Sequence, residues 1–289
     1  MVPTMRIDEL LTAAAQDLAR AGIAEAGLDA RLLLQHLTGL TRSQLVLRGG
    51  LSVDERTHGR YRNLIEQRSQ RIPLQHLTGS QEFWSLTFAV SAAVLIPRPE
   101  TEFLLEHVLA TCSGTVITHA LDMCTGSGVI AVVLAKELGC PVVAVDISEA
   151  ALRVAGENFC RHRAEDSIMP VCGDLFAALN SKRKFDLIVS NPPYIVEEQI
   201  DQLEPEVCRS EPRLALSGGF DGMRTIVRIA SEAHVFLQPG GWLFLEIGAD
   251  QKEAAETLFR SAPGHYSEVR VIDDWAGRPR VLQAWYVPK

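Results

Sequence analysis

From Ile7 to about Arg71, leucines and isoleucines recur at helical spacing among charged residues, in IDELLTAAAQDLARAGI (7–23), DARLLLQHLTGL (29–40) and VDERTHGRYRNLIEQRSQR (53–71). Recurrence every three to four residues gathers apolar side chains on one face of a helix, so this stretch predicts a small domain of short amphipathic helices. Ser52, followed by acidic residues, marks a helix start, because a side-chain oxygen and negative charge meet the free N–H groups there. The pattern then changes. Phe83, Trp84, Leu86, Phe88 and Val90 predict a β-hairpin that runs into a proline-locked loop at LIPRPET (95–101).

Beyond Val116, short apolar runs of strand length appear: VITHALDM, PVVAVD, IMPVC, FDLIVS and GGWLFLEIG. Most are separated by helical segments, namely VIAVVLAKEL, EAALRVAGENFCRHR and DGMRTIVRIASEAHVFL. Alternation of this kind predicts an α/β fold, a mostly parallel sheet with helices on both faces. The ending, HYSEVRVIDDWAGRPRVLQAWYV, has two strand patterns around a turn with no helix between, so its strands are expected to pair antiparallel.

Composition narrows the class. The 289 residues are 47% hydrophobic, enough for a sizeable core, and the net charge is −8. That balance argues against a broad basic surface for bare nucleic acid. The opening MVPTMRIDELLTAAAQDLARAG mixes charges into its apolar positions, unlike a signal or transit peptide, and no apolar run approaches membrane-spanning length. Six cysteines without C-x-x-C pairs are expected to be reduced thiols in a cytoplasm, and the eight histidines lack metal-ligand spacing.

In an open α/β sheet, ligands bind beyond the carboxyl ends of the strands. After the first strand, Asp122 precedes Gly126 and Gly128, which let the backbone turn tightly before a helix. A dinucleotide fingerprint would carry its third small residue at Ala131, a permitted variant. Asp146, about twenty residues past the first glycine and at the end of VAVD, is placed to accept hydrogen bonds from ribose hydroxyls. It could equally cap the helix EAALRVAGEN, a role also open to Ser148. After the third strand, Asp174 could accept from an adenine amino group while Leu175 or Phe176 covers the base.

The fourth strand ends in SNPPYI (190–195). Beside a nucleoside site, this suggests methyl transfer from S-adenosylmethionine to a planar nitrogen. Such a nitrogen is a poor nucleophile because its lone pair is delocalised. The Asn191 side-chain oxygen and the Pro192 carbonyl, each accepting one N–H, would hold it facing the methyl donor and favour pyramidalisation. Pro192 and Pro193 would fix that carbonyl, and Tyr194 would pack on the planar group. The stretch from Glu197 to Leu216, with EPEVCRSEPRLAL (204–216), could be a surface excursion or part of the substrate wall, and its length without clear periodicity favours a functional loop.

The segments PLQHLTGSQEFWSLTF, VLIPRPETE, LDMCTGSGVIA, VAVDIS, FDLIVSNPPYI, EPRLALSGGFDGM, PGGWLFLEIG and GRPRVLQA follow one another as in the PrmC/HemK family, which the chain resembles over nearly its whole length. NPPY alone also occurs in adenine-N6 methyltransferases; IPRPETE with a helical N-terminal domain is more specific. The resemblance implies a seven-stranded class I methyltransferase domain at 97–289, a hairpin linker at 79–96 and a helical release-factor-binding domain at 1–78. It implies transfer of a methyl group from S-adenosylmethionine to the glutamine of the Gly-Gly-Gln motif of peptide chain release factors. Cys124, Thr125, Gly126, Ser127 and Gly128 would hold the methionine part of the cofactor, Asp146 the ribose, and Asp174 and Leu175 the adenine. Asn191, Pro192, Pro193 and Tyr194 would bind the substrate glutamine and carry catalysis, Asn191 also touching the cofactor. A large aromatic can stand where this chain has Leu175. A cytoplasmic monomer without membrane attachment or direct nucleic-acid binding is expected. An adenine-N6 nucleic-acid methyltransferase is the alternative, although it should carry a basic domain with stacking aromatics, and Tyr61 is the only aromatic in these helices. A cofactor-binding module without catalysis would not need NPPY.

Overall fold

The helical spacing near the start of the chain produces helices whose apolar faces meet. A computed structural model describes residues 5–263 and 266–287, so the first four residues of the opening segment and His265 of the last lie outside the described residues. The first helices are α1 (Ile7–Arg20), α2 (Ala26–Thr38), α3 (Arg42–Leu47), α4 (Glu55–Ser69) and α5 (Leu74–Thr78). Leu10 and Leu18 of α1, Leu33 and Leu34 of α2, and Tyr61 of α4 fill their common core. The Tyr61 hydroxyl donates to the Ala30 carbonyl at 2.8 Å, which satisfies the polar end of a buried ring. Helix α4 starts later than Ser52 suggests. Asp54 accepts from the Thr57 N–H at 3.0 Å and is the cap, while Ser52 is held in an isolated antiparallel bridge with Arg6.

The chain divides into two units, one running to Ser80 and taking in Glu204–Ser210, the other comprising Gln81–Leu203 and everything from Glu211 onward. Within the first unit, Arg68 donates to Asp29 at 2.7 Å and to Glu206 at 2.8 Å, and Arg71 binds Glu206 through two nitrogens, each at 2.7 Å. A buried guanidinium needs such partners, because isolated charge is costly away from water.

Strands β1 (Ser80–Phe83) and β2 (Leu86–Ala89) form the hairpin. Trp84 and Ser85 between them both have positive φ, 54° and 56°, as a two-residue type I′ turn requires. The Trp84 ring packs on the core, and its indole N–H donates to Glu137 at 3.0 Å.

The rest of the second unit holds β3 (Ala120–Met123), β4 (Val142–Asp146), β5 (Ile168–Cys172), β6 (Phe185–Ser190), β7 (Leu237–Glu246), β8 (Tyr266–Asp273) and β9 (Pro279–Tyr286). The further α-helices among the described residues are α6 (Pro99–Thr111), α7 (Val129–Leu138), α8 (Glu149–Arg161), α9 (Pro205–Cys208), α10 (Arg213–Leu216), α11 (Arg224–Glu232) and α12 (Lys252–Ser261), α9 falling in the first unit. The seven strands lie in the order β5-β4-β3-β6-β7-β9-β8. The first five of these run parallel, and β9 is antiparallel to both β7 and β8. Apolar clusters cover the two faces, one around Leu104, Val132 and Leu187, the other around Leu121, Ile229 and Phe259.

Some boundaries shift for local reasons. The strand predicted from Val116 begins at Ala120, because the Asp186 carboxylate takes the Thr118 and His119 N–H groups at 2.7 and 3.0 Å. Helix α11 starts at Arg224 rather than Asp221, since Gly222 has φ of 74°, outside the helical region.

Candidate active site

From β3 the chain steps outward to β4 and β5, then returns to place β6 on the other side of β3. This reversal opens a crevice at the carboxyl ends of β3 and β6, the position where such sheets bind ligands. A cavity of about 310 Å³ lies there.

The loop after β3 forms its floor. Asp122 is fully buried; one carboxyl oxygen accepts from the Thr125 hydroxyl at 2.6 Å and the Ala131 N–H at 3.0 Å, and the other has no partner. Burial pushes its pKa up to about 7, against those two hydrogen bonds and with a small push from Asp146. Cys124, Thr125, Gly126 and Ser127 all line the cavity, and Cys124 has φ of 63°. Gly128 does not line it. A Cβ there would sit 2.5 Å from the Phe159 ring, so this glycine serves close packing of α7 on α8.

Asp146 ends β4 and also faces the cavity. Its two oxygens accept from the Gly126 and Ser148 N–H groups, each at 2.9 Å, and burial raises its pKa against those bonds. The cap of α8 is Ser148, whose hydroxyl oxygen accepts from the Ala151 N–H at 3.1 Å. Asp146 therefore ties the glycine loop to the strand end.

After β5, Asp174 and Leu175 line the cavity. Leu175 holds φ of 52°, a strained conformation for a branched side chain. Phe176 turns away, stacking on Phe236 with ring centroids 4.8 Å apart, and so does not cover the cavity. Asp174 is paired with Arg228 at 2.7 Å, and Arg228 stands on the same wall.

Beyond β6, Asn191 and Pro193 line the cavity, whereas Pro192 and Tyr194 lie off its wall. Asn191 Nδ2 donates to Thr101 Oγ1 at 3.0 Å, and the Thr101 hydroxyl donates to Glu246 Oε2 at 2.7 Å. The Tyr194 hydroxyl donates to Glu246 Oε1 at 3.1 Å, with Arg280 Nη1 3.4 Å from that hydroxyl. Burial raises the pKa of Glu246, opposed by Thr101 and Arg280. The Tyr194 carbonyl accepts from Gln251 Nε2 at 3.0 Å, and a Cβ at Gly222 would come within 2.5 Å of that carbonyl oxygen. The NPPY backbone is thus clamped by the GGFDG loop.

Beside the cavity, Arg98 donates to Glu211 at 2.7 Å, joining the LIPRPET loop to the EPRLAL segment; the adjacent Pro97 and Pro212 both line the cavity. The Glu211 carboxyl is almost fully buried, and burial raises its pKa against the Arg98 charge.

Thr101, Glu246, Arg280 and the Arg98–Glu211 pair are not among the site residues expected from the sequence, although Arg98 and Thr101 stand in the IPRPETE motif and Thr101 lines the cavity. Glu246 was accessible to the strand-end rule, since it is the last residue of β7.

A reversing parallel sheet, an acidic glycine loop at its switch point and an NPPY wall define a class I methyltransferase. Residues 9–79 match the family model described as PrmC N-terminal domain, and residues 99–220 the Methyltransferase small domain. A release factor glutamine methyltransferase from Caulobacter vibrioides is 39% identical over 280 residues, 96% of each chain. One from Moorella thermoacetica is 41% identical over 282 residues, 97% of this chain and 99% of its own. The chain belongs to the release factor glutamine methyltransferase family. A methyltransferase structure from Pyrococcus furiosus shares the fold, with a TM-score of 0.52 at 21% identity, covering 71% of this chain and 91% of that one.

Proposed function

We propose that this protein transfers a methyl group from S-adenosylmethionine to the side-chain amide nitrogen, N5, of the glutamine in the Gly-Gly-Gln motif of peptide chain release factors. The observation that carries this reading is that Asn191 and Pro193 share one cavity with Asp146 and the glycine loop, so an amide-binding wall and a nucleoside-binding floor face one space.

The residues present suit the cofactor. Its ribose hydroxyls need acceptors, which Asp146 supplies, and its charged methionine end suits the loop above Asp122, whose second oxygen is buried without a partner. The adenine requires an apolar slot, which Ile147 and Leu175 provide beside Asp174. When bound, the cofactor supplies an electrophilic methyl group on a sulfonium.

The chain's own residues hold the other reactant. Asn191 Oδ1 accepts an N–H of the glutamine amide, which fixes its nitrogen and strengthens as that nitrogen pyramidalises, while Pro192, off the cavity wall, stiffens the backbone between Asn191 and Pro193. Tyr194 supports the wall through Glu246 rather than from the cavity surface. The helical unit at 1–78 engages the release factor, the hairpin at 79–96 links it, and residues 97–289 carry the transfer, in a cytoplasmic monomer. Among the described residues no helix is long and apolar enough to cross a membrane.

The test is incubation with methyl-labelled S-adenosylmethionine and purified release factor, beside tRNA, rRNA and DNA. Label is expected in release factor and lost when the glutamine of its Gly-Gly-Gln motif is replaced. Label in a nucleic acid but not in release factor would overturn the reading in favour of an adenine-N6 type enzyme.

A further inference from the structure

Asn191 faces a choice that its shape does not decide. The oxygen and nitrogen ends of its amide are nearly isosteric, yet only the oxygen can accept a substrate N–H. The surrounding groups make the choice. Glu246, as a carboxylate, can only accept, so the Thr101 hydroxyl at 2.7 Å and the Tyr194 hydroxyl at 3.1 Å must both donate to it. A hydroxyl has one proton. Having given it to Glu246, Thr101 can only accept from the Asn191 group 3.0 Å away, which must then be the NH₂. Reversing the amide would press two acceptor oxygens together.

We propose that Glu246, acting through Thr101, is a positioning residue pair that sets the orientation of the Asn191 amide and so presents Oδ1 to the substrate nitrogen. The inference rests on glutamine methylation as the activity and adds what holds its acceptor in register. Its burial supports it: Thr101 and Glu246 are 3% and 1% exposed, and Asn191 opens onto the cavity. Hidden polar groups cost stability unless fully connected, and here the order of protons runs in one direction from Asn191 to the carboxylate. Arg280, beside the Tyr194 hydroxyl, supplies the positive charge that opposes neutralisation of Glu246. Thr101 is held in the first turn of α6, where its N–H donates to the Arg98 carbonyl at 3.1 Å.

The experiment uses the full chain with purified release factor, comparing the parent with Thr101→Val, which keeps the shape and removes the hydroxyl, and Thr101→Ser, which keeps the hydroxyl. Single-turnover transfer at saturating cofactor and release factor is measured beside cofactor affinity and thermal melting. Thr101→Val is expected to slow transfer about tenfold or more while cofactor affinity stays within about twofold. Thr101→Ser should restore most of the lost rate. Thr101→Val transferring at the parent rate would overturn the inference alone, as would equal slowing in Thr101→Ser, which would assign the effect to methyl packing. A parallel loss of cofactor affinity in Thr101→Val would make Thr101 a cofactor-site residue and also overturn it. A parent protein that leaves the release factor unlabelled overturns the proposed function and this inference with it.

Discussion

Asp122 is a carboxyl with little to stabilise its charge: no water reaches it, and one oxygen has no partner. Its pKa, pushed up by burial to about 7 from 3.8, means that the folded protein holds this proton more tightly than the unfolded chain. The stability it contributes is therefore full below about pH 4 and is lost as pH rises toward 7, on the order of a few kcal/mol in total. Asp122→Asn keeps an acceptor for Thr125 and Ala131 but cannot ionise. The melting temperature of the parent should fall more steeply between pH 5 and 8 than that of Asp122→Asn; parallel slopes would show that Asp122 does not titrate in this range. At this scale the sequence was most informative where a residue's place follows from its own strand. Asp146, Asp174 and Asn191 each stand just at or after a strand end and do line the cavity. Tyr194, Phe176 and Thr101 could not be read so, because what each touches belongs to distant elements: Glu246, Phe236 and Asn191.

Among the elements, the LIPRPET loop and the EPRLAL segment depend on one ion pair. Arg98→Ala would leave the Glu211 carboxyl buried without its partner, at a cost of about 1–3 kcal/mol. It should also weaken cofactor binding, since the loop neighbours Pro97 and Pro212 stand on the cavity wall. Denaturant unfolding and calorimetry with S-adenosylmethionine measure the two effects; a destabilised variant with parental cofactor affinity would separate the latch from the cavity. The existence and type of the main helices and strands were legible from apolar periodicity, because each buries one face or two. Their starts were less so. Thr118 and His119 are strand-like in composition, but an aspartate side chain captures their N–H groups, and Ser52 yields its capping role to Asp54 because its backbone pairs with Arg6.

For the molecule as a whole, the division of the chain hid one feature. EPEVCRS has no periodicity to mark it as part of the helical unit, yet Glu204–Ser210 belongs there, held through Glu206. Burial pushes the Glu206 carboxyl up, but hydrogen bonds from Arg71 and Arg68 outweigh it and hold its pKa at about 2, below the ordinary 4.5. The stability from this cluster is present above pH 4.5 and is lost as pH falls toward 2. Glu206→Gln should melt below the parent at pH 7, with the gap closing by pH 2 to 3; a gap independent of pH would mean that charge plays no part. The separation of 138 residues between Arg68 and Glu206 also gives the chain a timetable. A ribosome delivers Asp29 and Arg68 long before Glu206, and contacts between distant residues form only after the intervening chain exists. The helical unit is thus begun before the catalytic sheet but cannot be finished from its own stretch of chain: it waits, with a buried arginine half satisfied, until four strands of that sheet have already been made.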